Sequence, residues 1–168
     1  MRKTRKTNGT VRSNITNALY ELMAEKPFEH ITVTELVDRA QVARVSFYRN
    51  FDGMDDVLRQ SVRQKAEEWL ATVGPDLRKT DPDAYVRSLL TYVYDNREMV
   101  DRLFASGRAD IVREELNRAF GVGCRDRRES AIRAMFAGGI YNLIHRWSVV
   151  RYEPDGEALA SFVSELVR

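Results

Sequence analysis

The chain holds one cysteine, Cys124, in 168 residues, so no intrachain disulfide can form and a zinc site built from several cysteines is excluded. That usage fits a reducing compartment, and a cytoplasmic location is expected. Only two histidines occur, His30 and His145, far apart and in no ligand or nucleophile motif. No glycine-rich phosphate loop is present. No apolar run approaches the ~18 residues of a membrane span. The start, Met1-Arg2-Lys3-Thr4-Arg5-Lys6, lacks the apolar stretch that follows a signal peptide's charged region. Neither sign of charge dominates, with 27 Lys/Arg against 25 Asp/Glu, which excludes an acidic disordered tail and the positive excess of a histone-like packing protein. No catalytic residue, metal, cofactor or membrane partner is nominated.

What is there is helical. Apolar residues make up 43% of the chain, enough for one substantial core. No segment alternates with period two for long, so the expected fold class is all-α. Residues 1–10 carry four Lys/Arg and no acid and read as a flexible basic arm. Residues 1–63 are net +3 and residues 64–168 net −1. Ile15, Ala18, Leu19, Leu22 and Met23 recur on one helix face over about 11–25, and Pro27 ends it. Thr32-Val33-Thr34-Glu35 is a capping box, opening a short helix with Leu36, Val37 and Ala40 inward. The apolar phase breaks at Gln41 and resumes at Val42, Phe47 and Phe51. A longer helix follows Asp52, Asp55 and Asp56, with Leu58, Val62, Trp69 and Val73 on one side, and closes at Gly74-Pro75. Asp81-Pro82 predicts a further start, and helices are expected over 97–105, 109–120, 126–150 and 156–167.

Two short helices joined by a tight turn offer the second helix to a DNA major groove. With Val42, Phe47 and Phe51 inward, Arg44, Val45, Tyr48 and Arg49 share the outer face, and Ser46 and Asn50 flank it. Arg pairs with guanine, Asn with adenine, and Val45 suits a thymine methyl. Ser46 and Tyr48 hydroxyls suit phosphate oxygens. Thr32 and Thr34, at the start of the preceding helix, are placed to grip phosphate, and the arm to follow the backbone.

The run Ile31-Thr32-Val33-Thr34-Glu35-Leu36-Val37-Asp38-Arg39-Ala40, then Val42 and Ser46-Phe47-Tyr48-Arg49-Asn50-Phe51, resembles the N-terminal domain of TetR/AcrR-type transcriptional regulators. The likeness spans about residues 11–62. It implies an arm over 1–10, a three-helix DNA-binding domain with helix-turn-helix over 11–54, and a helical effector-binding and dimerisation domain over 55–168. It also implies a recognition helix over 42–50. Three positions depart from the family pattern. Gln41 stands where glycine is frequent, Val45 where a small residue or proline is common, and Met54 where many relatives carry a lysine aimed at the backbone. A glutamine there is either strained by ~1 kcal/mol in a left-handed conformation or adopts another turn.

Aromatic residues Trp69, Tyr85, Tyr92, Tyr94, Phe104, Phe120, Phe136 and Tyr141 fall on successive helices as core or pocket lining. Trp69 and Tyr92 are the candidates for a small apolar or aromatic effector. Ala131, Met135, Gly138, Gly139 and Asn142 form a stripe of small and flexible residues on the penultimate helix, and Leu159, Phe162, Val163 and Leu166 make the last one amphipathic. By resemblance, Met135, Gly138, Gly139, Asn142 and Phe162 belong to a homodimer interface that sets two recognition helices on a palindromic double-stranded operator. Cys124, beside Arg125, Arg127 and Arg128, is a redox sensor or an incidental loop thiol. The expected function is a sequence-specific DNA-binding regulator, a repressor released by an effector. Alternatives are a DNA-binding co-activator or switch controlled by a protein partner, and a helical enzyme or lipid carrier.

Overall fold

Helix boundaries follow the local chemistry of the chain. In the computed structural model, which describes residues 8–73 and 77–166, α1 (Asn8–Glu25) is followed by a 3₁₀ turn (Phe28–His30) and by α2 (Val33–Arg39), α3 (Arg44–Asn50) and α4 (Met54–Val73). Then come α5 (Leu77–Thr80), α6 (Pro82–Asp95), α7 (Arg97–Ala105), α8 (Ala109–Ala119), α9 (Arg127–Val149) and α10 (Gly156–Leu166). Among the described residues there is no strand. The first helix begins at Asn8, so the last three residues of the expected arm are helical. The arm through residue 7, the Gly74-Pro75 stop and the Leu166 side chain lie outside the described residues. The short α5 was not anticipated, because one helical turn carries no periodic signal.

Caps start and stop these helices. Thr32 Oγ1 accepts from the Glu35 amide at 3.2 Å while Glu35 Oε2 accepts from the Thr32 amide at 2.9 Å, so the capping box is closed in both directions. The Asp81 carboxylate accepts from Ala84 N–H, and Pro82 occupies the first turn of α6. At the end of α2 the Val42 amide donates to Val37 O and the Gln41 amide to Asp38 O, the two bonds of a Schellman motif. That motif needs a left-handed residue, and Gln41 supplies it with φ 53°. The tight turn is therefore made as a glycine would make it, with the strain retained.

Two apolar cores share α4 and α7, the latter through Leu103 in the first and Val100 in the second. The first packs Ile15, Leu19, Leu36, Phe47 and Leu58 and extends to Leu103 and Ile111 of α7 and α8. The second gathers Tyr85, Leu90, Ile144, Trp147 and Ala160 from α6, α9 and α10. Val57, Leu58 and Val62 of α4 belong to the first core and Trp69 to the second. Ion pairs then bind α4 to α8. Glu115, 2% exposed, receives both Arg63 nitrogens at 2.9 and 3.0 Å and Arg118 Nε at 2.6 Å, and Arg118 also reaches Glu67. Arg59 pairs with Glu114. Burial pushes the Glu115 carboxyl up, but hydrogen bonds from Arg63 and Arg118 outweigh it and hold the group below the ordinary carboxylate range.

Replacing Gln41 with glycine removes the left-handed penalty, so Gln41→Gly is expected to raise stability by about 0.5–1 kcal/mol in chemical denaturation. Glu115→Gln leaves two guanidinium groups short of their carboxylate. Because the arginines are partly solvated, we expect a loss of about 1–3 kcal/mol at neutral pH. Since the folded carboxyl titrates lower than the unfolded one, the difference from the parent protein should shrink as pH falls below the ordinary carboxylate range.

Candidate DNA-binding face

The face is built on a helix of seven residues whose N-cap, Ala43, makes no side-chain hydrogen bond. Such a helix holds only by packing. Phe47 is fully buried, with its ring edge-on to Tyr48 at 5.1 Å and tilted against Phe51 at 5.9 Å. Burying Phe47 turns Arg44, Val45, Tyr48 and Arg49 outward, all exposed. Val45 is 69% exposed and Tyr48 53%, a cost in exposed apolar surface that nothing in the fold offsets. The Arg44 guanidinium lies 5.7 Å from the Tyr48 ring centre and donates to its hydroxyl at 3.3 Å. No acidic side chain occurs on α3.

The remaining nominated residues are held differently. Asn50 donates from Nδ2 to Ser46 O at 2.7 Å, and its own carbonyl accepts from Gln60, so both Asn50 and Ser46 sit half-buried at the margin. That bond uses one of the two Nδ2 hydrogens and leaves the other, with Oδ1, for a further partner. The Thr32 hydroxyl accepts from the Glu35 amide and donates to its carboxylate, so it is spent inside the capping box. Lys26 also binds Glu35, and the Lys26, Thr32 amide and Thr32 hydroxyl contacts together lower the Glu35 carboxyl to about 2. Thr34 is exposed and is the better donor to a phosphate. Met54, where a lysine was noted as common, is half-buried against the first core. One cation escaped the sequence reading: Arg12 of α1 is exposed, with its guanidinium 5.9 Å from the Phe51 ring at the end of α3. Only its proximity in space reveals it.

Residues 15–60 match the model of the bacterial regulatory proteins of the tetR family. The chain carries the tetR-family domain. The matched segment is a helix-turn-helix domain, and a helical domain follows it. Among curated proteins none matches the sequence. Among solved structures, Lin0861 from Listeria innocua is similar with a TM-score of 0.81 at 16% identity, covering 99% of this chain and 95% of that one. The dihydroxyacetone kinase operon activator DhaS gives a TM-score of 0.65 at 16% identity, with 93% of each chain covered. The fatty acid degradation regulator FadR from Bacillus halodurans gives 0.57 at 17% identity, covering 98% of this chain and 96% of that one.

In the helical half, Trp69 is buried and Tyr92 half-buried, and both line an apolar cavity of about 80 Å³ with Leu89, Leu116, Ala119 and Phe120. Trp69 Nε1 donates to Ser88 Oγ at 3.1 Å. The Tyr92 hydroxyl donates to Glu68 at 3.1 Å, and burial together with that carboxylate pushes it up to about 12. Of the other aromatics named from the sequence, Tyr85 packs against Trp69 in the core, Tyr94 lies against Trp147 but is exposed, Phe104 meets His145 edge-on and Tyr141 stacks with it. On α9, Met135 is 70% exposed, Gly139 and Asn142 are exposed and Gly138 is half-buried, while Phe162 of α10 is 57% exposed. Ile132 and Val149 extend the bare apolar surface of α9. Cys124 is half-buried, with its sulfur 3.5 Å from Asp126 O.

Among the described residues no group of His, Cys, Asp and Glu could hold a metal, and no helix is long and apolar enough to cross a membrane.

Proposed function

We propose that the protein is a homodimeric, sequence-specific transcriptional regulator that represses by occupying a palindromic operator and leaves it when an effector enters the helical half. The observation that carries the reading is the outward face of α3. Its side chains stay exposed although Val45 and Tyr48 are largely apolar, carry only positive charge, and have the chemistry of base edges, a thymine methyl and phosphate. In this reading Arg44, Val45 and Arg49 meet bases, Tyr48, Ser46 and Thr34 the backbone, and Thr32 and Asn50 hold the frame from which the others act. The small cavity beside α4 and α7 supports the released state, since a ligand there would shift the two helices that both cores share.

The dimer reading rests on α9 and α10. Ile132, Met135, Val149 and Phe162 leave apolar area in water on two adjacent elements, with Gly139 allowing close approach. A second copy covers this face and supplies the second reading head, about 34 Å away on one side of the duplex. Direction of control is the open element. One similar structure is described as an operon activator, so the same fold under a protein partner's control is the second reading.

Arg44→Ala and Tyr48→Phe should each weaken binding to an operator selected from a random DNA pool, Arg44→Ala by about tenfold or more, with thermal stability within about 0.5 kcal/mol of the parent. Unchanged affinity for both variants in a gel-shift titration would sink the DNA-binding assignment. Met135→Glu combined with Phe162→Glu should shift the protein from dimer to monomer in analytical ultracentrifugation while helical content stays constant. Selected operators that lack two-fold symmetry would count against the dimer.

A further inference from the structure

A second cavity lies on the other side of the wall that closes the apolar one. It is a cleft of about 590 Å³ between α1 and α7, floored by Tyr20 and Ser61, whose hydroxyls bond at 2.8 Å. Lys65, Asn96 and Met99 line both spaces. The partition between a polar cleft and an apolar cavity is thus formed by three side chains, two of them long and flexible. Thioethers in particular change rotamer at little cost.

The two spaces differ in chemistry. The cleft presents Arg97, Arg102 and Lys65, with neutral donors from Ser13 and Asn17, while Lys65 and Gln64 also donate to Glu68 at its edge at 3.1 and 2.8 Å, an ion pair a ligand carboxylate would have to share. Its acids are Asp95 and Glu98. The Arg102–Glu98 pair is loose, at 3.4 Å with the Glu98 side chain 78% exposed, and pairs of that kind are exchanged for another anion at little cost. Arg97 stacks on Tyr94 at 4.4 Å, which fixes its guanidinium beside the cleft. The inner cavity is walled by hydrocarbon and aromatic groups. An apolar cavity of about 150 Å³ accommodates benzene, so about 80 Å³ takes roughly three carbons.

We propose that the cleft and the cavity form one site for a small amphipathic monocarboxylate, with its carboxylate in the cleft at Arg102 and Lys65 and its short apolar tail passing Met99 into the cavity beside Trp69. The assignment deepens the effector reading and rests on it only for its consequence. The ligand would touch α1 of the DNA-binding half and α7 of the helical half at once, so occupancy changes how the two are held together.

The test titrates butanoate, hexanoate and octanoate, and the matching alcohols, into the full chain while NMR follows its two indole N–H resonances. The Trp69 signal should shift saturably with the acids and the Trp147 signal, whose indole donates to Pro154 O away from both spaces, should stay in place. Alcohols should bind at least tenfold more weakly. Arg102→Gln should weaken the acids about tenfold and leave the alcohols unchanged, Arg102→Lys should restore binding, and Ala119→Leu, which fills the cavity, should weaken butanoate, whose three-carbon tail matches it. Equal binding of acids and alcohols, no effect of Arg102→Gln on the acids, or no saturable Trp69 shift in the millimolar range overturns the proposal. Operator titrations with and without octanoate judge the effector reading separately. Acid binding that leaves DNA affinity untouched removes that reading and keeps the site.

Discussion

The burial of Phe47 is the constraint on which the rest depends. Seven residues that include Val45, Ser46, Phe47, Tyr48 and Asn50 are poor helix formers, and a helix of two turns is unstable in water by itself. It exists because one aromatic ring is sealed between α1, α2 and the following strand-like residue Phe51, whose φ is −144°. Truncating a buried phenylalanine typically removes about 3–5 kcal/mol from a total of about 5–15, so this contact decides whether the domain is folded at all. The opposite side of the same helix contributes almost nothing to that total. Stability and readout are therefore placed on opposite faces of α3, and the outer residues can be anything the ligand of that face requires.

Helix α4 gives the arrangement its reach. At 20 residues it is about 30 Å long, with its first half in the core beneath α3 and Trp69 in the other core. Arg59, Arg63 and Glu67 fix its flank to α8, while Arg108, at the start of α8, pairs with Asp55 at 2.8 Å and lies 4.7 Å from the Phe28 ring. Apolar packing along one side and charge along the other leave α4 few ways to move except as a rigid body.

Much of this was written in local sequence. Thr32 and Glu35 mark the start of α2 because both halves of the capping box are side chain to backbone bonds three residues apart, and Asp81-Pro82 marks α6 for a similar reason. The alternation of inward Phe47 with outward Arg44 and Tyr48 is helical arithmetic. What stayed hidden depends on distance in space. Glu115 looks like one more surface acid of an amphipathic helix until Arg63, 52 residues away, arrives beside it. Thr32 and Asn50 were read as DNA contacts from their type and position, and the sequence did not show that each also bonds locally, Thr32 to Glu35 and Asn50 to Ser46. The left-handed Gln41 could be anticipated only as one of two outcomes, because intrinsic preference argues against it and the Schellman bonds argue for it.

A ligand moves such a molecule only by the difference between its affinities for two arrangements. Coupling of about 1–3 kcal/mol is usual, and that is within reach of a few polar contacts but small beside either apolar core. The junction of α1 with α7 is the cheap place to apply it. Its outer surface is a polar cleft over the Leu103 edge of the first core, and the sheltered bond beside it, between Tyr20 and Ser61, joins α1 to α4 rather than to α7. The α4–α8 flank is the costly place, since moving it uncovers Glu115. If two reading heads must both fit one duplex, a rotation at the cheap junction in each copy is enough to misalign them, and it disturbs the first core only at its Leu103 edge.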